Sequence, residues 1–532
     1  MKVKLYDTTL RDGAQREGIS FSVEDKIKIA AKLDELGIHF IEGGWPGANP
    51  KDTEFFHRMQ GVNLANSTLV AFGSTRRPHV RPEDDLNLRN LLASKTEAIT
   101  LVGKGSAEQV ISILKTSLEE NLEMIADSIL YLKSQVRTVF FDAEHFFDGY
   151  KANPEYSLSA IKRAVNAGTD CVVLCDTNGG TFPGEIAGIV EALRGYGIPM
   201  GIHAHNDSDL AVANTLAAVE AGATQVQGTI NGYGERCGNA NLCSIIPALC
   251  LKMGIGCVTA EQLARLTEIS RYISEIANLL PDPHLPYTGT SAFGHKAGIH
   301  ISGMVKAKDS YQHIDPLLVG NSSRLLVSEL AGENTIIYKA SELGLDFATE
   351  KGEARRILRQ IKALENQGFT YDNAEASFEL LLRRAQPDYS KPFELVDFMV
   401  VVERQRRLPT KSDEEMLSEA MVKVRVGDVI QHTAAEGNGP VNALDEALRK
   451  ALTLFYPELM AVRLIDYKVR ILEESEGTEA KVRVIIESSD GEQEWCTVGS
   501  STNIIEASWI ALADSMEYWL LHKASNTTNE KG

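Results

Sequence analysis

No apolar run in the 532-residue sequence reaches the ~18–20 residues needed to span a bilayer. The amino terminus, MKVKLYDTTLRDG, has no apolar signal core, which predicts a mature cytoplasmic chain without a membrane partner. Cysteine is sparse, with seven residues and no C-x-x-C pair. That weighs against a close-paired zinc site and a disulfide framework, and predicts reduced thiols serving mostly as small core residues. Positive charge is in deficit: 54 Lys and Arg stand against 73 Asp and Glu, a net charge of −19. Such a surface repels nucleic acid at long range but leaves room for a local basic pocket holding an anionic small molecule. No G-x-G-x-x-G follows the first apolar run, which weighs against dinucleotide binding.

What is present is a regular alternation. Short runs rich in Val, Ile, Phe and Thr predict strands at 3–9, 40–44, 68–74, 98–103, 138–144, 171–177, 200–205 and 224–230. Amphipathic helices lie between them. One spans 23–37, with Ser22 as N-cap, Asp25 as capping-box partner and Gly37 as stop; another spans 210–222. Eight strand–helix units fit an α/β (β/α)8 TIM barrel over residues 1–270, with a doubly wound open sheet as the alternative. Residues 271–390 read as helical linker subdomains, with a Gly-, Pro- and His-rich stretch at 279–303 and helices at 352–366 and 373–385. Residues 391–524 alternate as strands at 395–403, 420–428, 429–436 and 481–488, with helices at 442–455 and 504–521. Such blocks predict a separate α+β domain, and 525–532 a polar, frayed tail.

Chemistry concentrates at the predicted strand ends. His203 and His205 are two apart, so both imidazoles face one side of the seventh strand at the barrel mouth. Arg11 and Asp12 follow the first strand and Asn239 follows the eighth. Those strands are neighbours in a closed barrel. Asp12, His203, His205 and Asn239 therefore form a candidate site for a divalent cation. Taken singly, Asp12 reads equally as a salt-bridge partner of Arg11, and Asn239 as a turn residue beside Gly238.

At this point the motifs become recognisable. DTTLRDGAQ (7–15), HAHND (203–207) and GYGERCGNANL (232–242) resemble the homocitrate, isopropylmalate and citramalate synthase family over nearly the whole chain. GGWPGANPKD (43–52) is similar to the citramalate branch, and the carboxy-terminal unit to that family's allosteric domain. The resemblance implies a Claisen-type condensation of acetyl-CoA with a 2-oxo acid, pyruvate for this branch, assisted by Mn, Mg or Zn. It implies Asp12, His203 and His205 as metal ligands, with Asn239 as a ligand or its neighbour. Arg11 becomes the cation for the developing alkoxide. Glu144 matches the family's catalytic glutamate, with Asp142 and His145 as rivals. Thr177 matches the threonine that binds the substrate carboxylate; otherwise it forms an ST-turn. His300 matches a family histidine that helps activate acetyl-CoA or water, and Tyr311 a nearby family tyrosine in the catalytic set, on a segment that the family places across a homodimer. His295 and His313 are alternatives, and His284 reads as a loop residue. The family's effector, for this branch, is isoleucine as inhibitor, and GNGPVNALDEAL (437–448) is a candidate turn for its carboxylate. The third and fourth strands are expected to supply walls around the oxo acid's substituent, Phe72 and Leu101 among them. Other readings are an isopropylmalate-type synthase, an acyl-CoA lyase or aldolase on the same barrel, and a non-enzymatic amino-acid sensor.

Overall fold

The computed structural model describes residues 2–296, 300, 303–304, 307–327, 332–345, 352–403, 417–472 and 480–529. The chain forms two compact units, Met1–Phe293 with His313–Ser323, and Gly294–Gln312 with Arg324–Gly532.

The first unit is a closed eight-stranded parallel barrel. Its strands are β1 (Lys4–Asp7), β2 (Phe40–Gly44), β3 (Thr68–Ser74), β4 (Ala98–Lys104), β5 (Thr138–Glu144), β6 (Cys171–Asp176), β7 (Met200–Ala204) and β8 (Gln225–Gly228). Pairing of β1 with β8, Lys4 against Gln225 through Asp7 against Gly228, closes the ring. Alternation divides the side chains between two cores. Tyr6, Val70, Ala98, Phe140, Cys171 and Val173 fill the barrel axis. Leu5, Ile41, Ala71, Leu101, Phe141 and Ile202 pack outward into the helix layer.

Helix Val23–Leu36 shows how local signals set that layer. Ser22 accepts from the Asp25 backbone N–H at 3.1 Å, and Asp25 accepts from the Ser22 N–H at 2.8 Å. Gly37 closes the helix at φ 85°, where a side chain would be strained. Ile29, Ala30, Leu33 and Leu36 then face the barrel, fully buried.

The barrel unit does not stop at residue 270. Helix Leu266–Ile276 buries Leu266, Ile269 and Ile273 in the barrel's outer core. Thr267 donates its hydroxyl to the Val319 carbonyl at 2.7 Å, tying in the returning segment.

The second unit carries two three-stranded antiparallel sheets. One joins β11 (Glu394–Glu403), β12 (Leu417–Val426) and β13 (Val429–Gly437); the other joins β14 (Arg463–Ile471), β15 (Val482–Ser489) and β16 (Glu494–Ser501). A two-residue parallel pair, β9 (Gly294–His295) with β10 (Arg324–Leu325), precedes them. Strands β14 and β16 were not expected from the sequence. Charged residues interrupt the alternation of β14, and β16 ends in Gly-Ser-Ser. Both are held by pairing with β15. The last helix, Ile504–Asn529, also runs through residues expected to fray, since each added residue closes another backbone bond. Among the described residues no helix is long and apolar enough to cross a membrane. All seven cysteines are free thiols.

Candidate active site

The metal-binding candidates converge at the C-terminal ends of β1, β7 and β8. The loop after β1 turns back through Asp12 N–H to Thr8 O at 2.9 Å, aiming the Asp12 carboxylate inward. His203 lies within β7, and His205, just beyond its end, bridges to Asn239. His203 Nε2 is 3.2 Å from Asp12 Oδ2 and 3.4 Å from His205 Nε2. The Asn239 amide lies 2.9 Å from Asp12 Oδ2 and 3.2 Å from His203 Nε2. All four side chains are buried.

The donor chemistry fits a cation. His203 Nδ1 is 2.8 Å from Gln227 Oε1, which only accepts, so Nδ1 carries the proton and the Nε2 lone pair faces the cluster. The two imidazole Nε2 atoms, 3.4 Å apart, are reconciled by a proton on one ring or by a cation shared between them. Burial drives the His205 pKa down to about 4, helped by His203, so that ring is neutral near pH 7. Burial opposes charge on Asp12, but Arg11 and His203 outweigh it and hold the carboxyl far below its usual range. Burial likewise opposes charge on His203, and Asp12 outweighs it, raising that pKa. His205 Nδ1 and Asn239 Oδ1 are buried without hydrogen-bond partners. A carboxylate, two imidazoles and an amide thus form a donor set suited to a divalent cation.

Arg11 stands beside this cluster. Its Nε donates to Glu42 Oε1 at 2.6 Å, its Nη1 lies 3.5 Å from Asp12 Oδ2, and its guanidinium carbon sits 3.9 Å from the Phe72 ring centre. Burial works against its charge, but Glu42 and Asp12 overcome it and raise the pKa. Glu42 also accepts from the Tyr6 hydroxyl at 2.5 Å. Glu42 and Gln227 were missed at the sequence level. Their signal is a polar residue at a barrel-facing position of an otherwise apolar strand.

Glu144 ends β5 at the rim, partly exposed and ion-paired with Lys104 from β4. Its rival Asp142 lies two residues deeper, accepting from Gln227 Nε2 at 3.2 Å, with its pKa pushed up to about 7 by burial and by Glu42. His145, the other rival, sits at φ 54° and donates its backbone N–H to Thr177 Oγ1 at 2.8 Å. Thr177 therefore braces the β5 loop and keeps its hydroxyl proton available. Arg236 donates to the Thr177 carbonyl at 2.8 Å and clasps Asp207 at 2.7 and 2.9 Å.

Phe72 lies beside Arg11, on the same face of β3 as the axis-filling Val70. Leu101 does not line the mouth. It is fully buried in the layer between strands and helices, because the alternation of β4 points Thr100 and Val102 inward. The Thr100 hydroxyl confirms this phase, lying 2.7 Å from the Tyr6 hydroxyl inside the barrel. His300 and Tyr311 belong to the second unit, where their rings stack at 4.3 Å. His313 belongs to the first unit, between Tyr287 and Phe293. His284 lies on an exposed loop.

Comparison with known proteins agrees with this architecture. The HMGL-like family matches residues 2–273, the homocitrate synthase post-HMGL domain-like family 287–368, and the LeuA allosteric (dimerisation) domain 373–520. An (R)-citramalate synthase of Geobacter sulfurreducens is 53% identical over 530 residues, covering 99% of both chains. One from Aquifex aeolicus is 52% identical over 98% of both. A 2-isopropylmalate synthase of Methanocaldococcus jannaschii is 31% identical, over 97% of this chain and 94% of its own. With half its residues shared end to end with the first two, against under a third with the last, the chain belongs to the (R)-citramalate synthase family.

Proposed function

We propose that the chain condenses acetyl-CoA with pyruvate and water to give (R)-citramalate and CoA, a step toward isoleucine. The observation that carries this reading is the convergence of Asp12, His203, His205, Asn239 and Arg11 at one barrel mouth. In the reaction a proton leaves the acetyl methyl, the resulting carbanion forms a bond to the ketone carbon of pyruvate, and the ketone oxygen becomes an alkoxide. Water then cleaves the thioester and CoA departs as its thiol. Asp12, His203, His205 and Asn239 would hold a divalent ion, which would supply Lewis-acid chemistry at the oxo acid. Arg11, fixed by Glu42, adds a second preorganised cation for the alkoxide. Thr177 offers its hydroxyl proton to the carboxylate. Glu144 at the rim is assigned a proton transfer, and His300 with Tyr311 the activation of acetyl-CoA or water in the site of a neighbouring subunit.

The allosteric domain is assigned isoleucine as effector and a homodimer as the working form. A cavity of about 830 Å³ lies along helix Pro440–Leu452, bordered by Asn442, Asp445, Arg449, Lys450, Met460 and Tyr467. Charges of both signs beside apolar side chains match the ammonium, carboxylate and alkyl group of an amino acid. Half-exposed Met399 and Ile430 in β11 and β13 give the domain apolar surface for a second copy.

Release of free CoA across a panel of 2-oxo acids tests the reading. kcat/KM is expected to be highest for pyruvate. Preference for 2-oxoisovalerate rejects the citramalate assignment and keeps the reaction class; no release with any acid rejects both. Added isoleucine should lower the rate, and leucine acting in its place rejects the effector assignment.

A further inference from the structure

We propose that Trp45 is a positioning residue that sets the upper size of the oxo acid's substituent by fixing Phe72. The proposal rests on the pyruvate reading above. Every 2-oxo acid offers the same carboxylate and ketone, so the ion-binding cluster, Arg11 and Thr177 hold them all alike. Discrimination falls to the wall around the third substituent. Attraction gains only about 10–200-fold per methylene, so strong preference for a methyl requires a wall that does not yield.

An aromatic ring at a site mouth yields by rotating unless its surroundings block it. Phe72 is blocked twice. The Arg11 guanidinium covers its face at 3.9 Å, and the Trp45 ring stands nearly perpendicular to it, at 84° with ring centres 5.5 Å apart. Arg11 cannot retreat, because Glu42 holds its Nε at 2.6 Å.

Trp45 is held just as firmly. Its indole N–H donates to Asn87 Oδ1 at 2.7 Å, and Asn87 donates on to the Ser74 carbonyl at 2.6 Å, two residues along β3 from Phe72. Its backbone N–H donates to Asp52 Oδ2 at 2.9 Å. Asp52 in turn pairs with Lys26 at 2.5 Å, both side chains being buried, and Lys26 also reaches the Gly43 carbonyl at 3.0 Å. Gly44, at φ 145°, leaves room for this carboxylate, since a Cβ there would lie 2.5 Å from Asp52 Cγ. The sequence Gly43-Gly44-Trp45 with Asp52 therefore acts as one device that holds the indole ring perpendicular to Phe72. It needs no contact between Trp45 and substrate.

The test is the ratio of kcat/KM for 2-oxobutyrate to that for pyruvate. The metal-loaded wild type is measured first. Trp45→Leu should raise the ratio about tenfold, the scale of one methylene. Trp45→Phe, which keeps an aromatic ring but loses the indole N–H, should raise it about twofold, and Asn87→Ala similarly. Manganese affinity should be unchanged in all three. A ratio within the wild-type error in Trp45→Leu, with both constants falling together, reduces Trp45 to scaffold and overturns the proposal. If Trp45→Leu does not fold, a flat ratio in Trp45→Phe and Asn87→Ala overturns it equally. Weakened manganese binding also overturns it, by placing Trp45 in support of the ion cluster. A wild type that prefers 2-oxoisovalerate fails the functional reading itself. A pyruvate-preferring wild type with flat ratios fails this inference alone.

Discussion

The two ends of the barrel are built from the same eight strands and do opposite things with them. Toward the N-terminal ends, Tyr6, Phe40 and Phe140 meet at tilted or edge-to-face angles with ring centres 5.0–6.1 Å apart, packed with Val70, Ala98 and Cys171. At the C-terminal ends, Asp12, His203, His205, Asn239 and Arg11 crowd their polar atoms together, and two of those atoms find no hydrogen-bond partner. Alternation decides which side chains face the axis, and height along the strand decides whether they are apolar or polar. The closed end spends its side chains on stability. The open end keeps buried polar groups in an arrangement that only a bound ligand completes, and relies on the closed end to hold them in place.

The sharpest way to break this contrast is to empty each end in turn. Phe140→Ala removes the centre of the aromatic layer and should cost about 3–5 kcal/mol, read as a lower urea midpoint. Manganese affinity of the protein still folded should hold. His203→Ala should lower turnover about a hundredfold or more, the scale of losing one preorganised charge stabiliser, with little change in the midpoint. Were Phe140→Ala to abolish metal binding in folded protein, or His203→Ala to unfold the barrel, the two ends would not be separable.

A smaller effect should appear where the ends meet. Gln227 links them, accepting from His203 Nδ1 and donating to the deeper Asp142. Its carbonyl fixes the tautomer that points the Nε2 lone pair at the cluster. Gln227→Leu removes that acceptor and should weaken manganese binding about 10–100-fold by isothermal titration. An unchanged affinity would show that ring packing alone orients His203.

Much of this arrangement was legible in the sequence, for identifiable reasons. Parallel strands buried on both faces are short apolar runs, so all eight barrel strands stood out, and a pair of histidines two apart at one strand end marked the mouth. The phase of each strand was harder. Leu101 and Val102 are equally apolar, and only the Thr100 contact inside the barrel shows that Val102 faces inward. Glu42 and Gln227 were readable in principle, as polar residues within apolar runs, but their partners lie on other strands. Helix Leu266–Ile276 and the returning segment 313–323 look like any linker until their packing on the barrel is seen. Strands β14 and β16 depend on their pairing with β15, which single-strand patterning does not carry.

The smallest expected effect lies at the closed end and concerns pH. His39 precedes β2, and its Nδ1 accepts from the Leu5 backbone N–H at 3.2 Å, which requires a neutral ring. Burial, with Lys4 adding to it, lowers its pKa to about 4. An unfolded histidine titrates near 6.5. Between those values the unfolded chain binds more protons, so this histidine's contribution is complete above pH 6.5 and is lost as pH falls toward 4. Asp7 acts in the opposite sense. Burial raises its pKa to about 7, against hydrogen bonds from Thr9, so its protonated form favours the fold at low pH and the benefit fades as pH rises from about 4 to 7. Because the two oppose each other, wild-type melting alone does not isolate His39. The informative quantity is the difference in Tm between wild type and His39→Gln. From pH 8 to 7 it should be constant. From pH 7 to 5 the wild type should lose about 4–8 °C relative to the variant, the scale of ~2 kcal/mol in a domain of this size. A difference that stays flat to pH 5 would mean that the ring accepts a proton without giving up Leu5, and that the closed end tolerates charge where the packing says it does not.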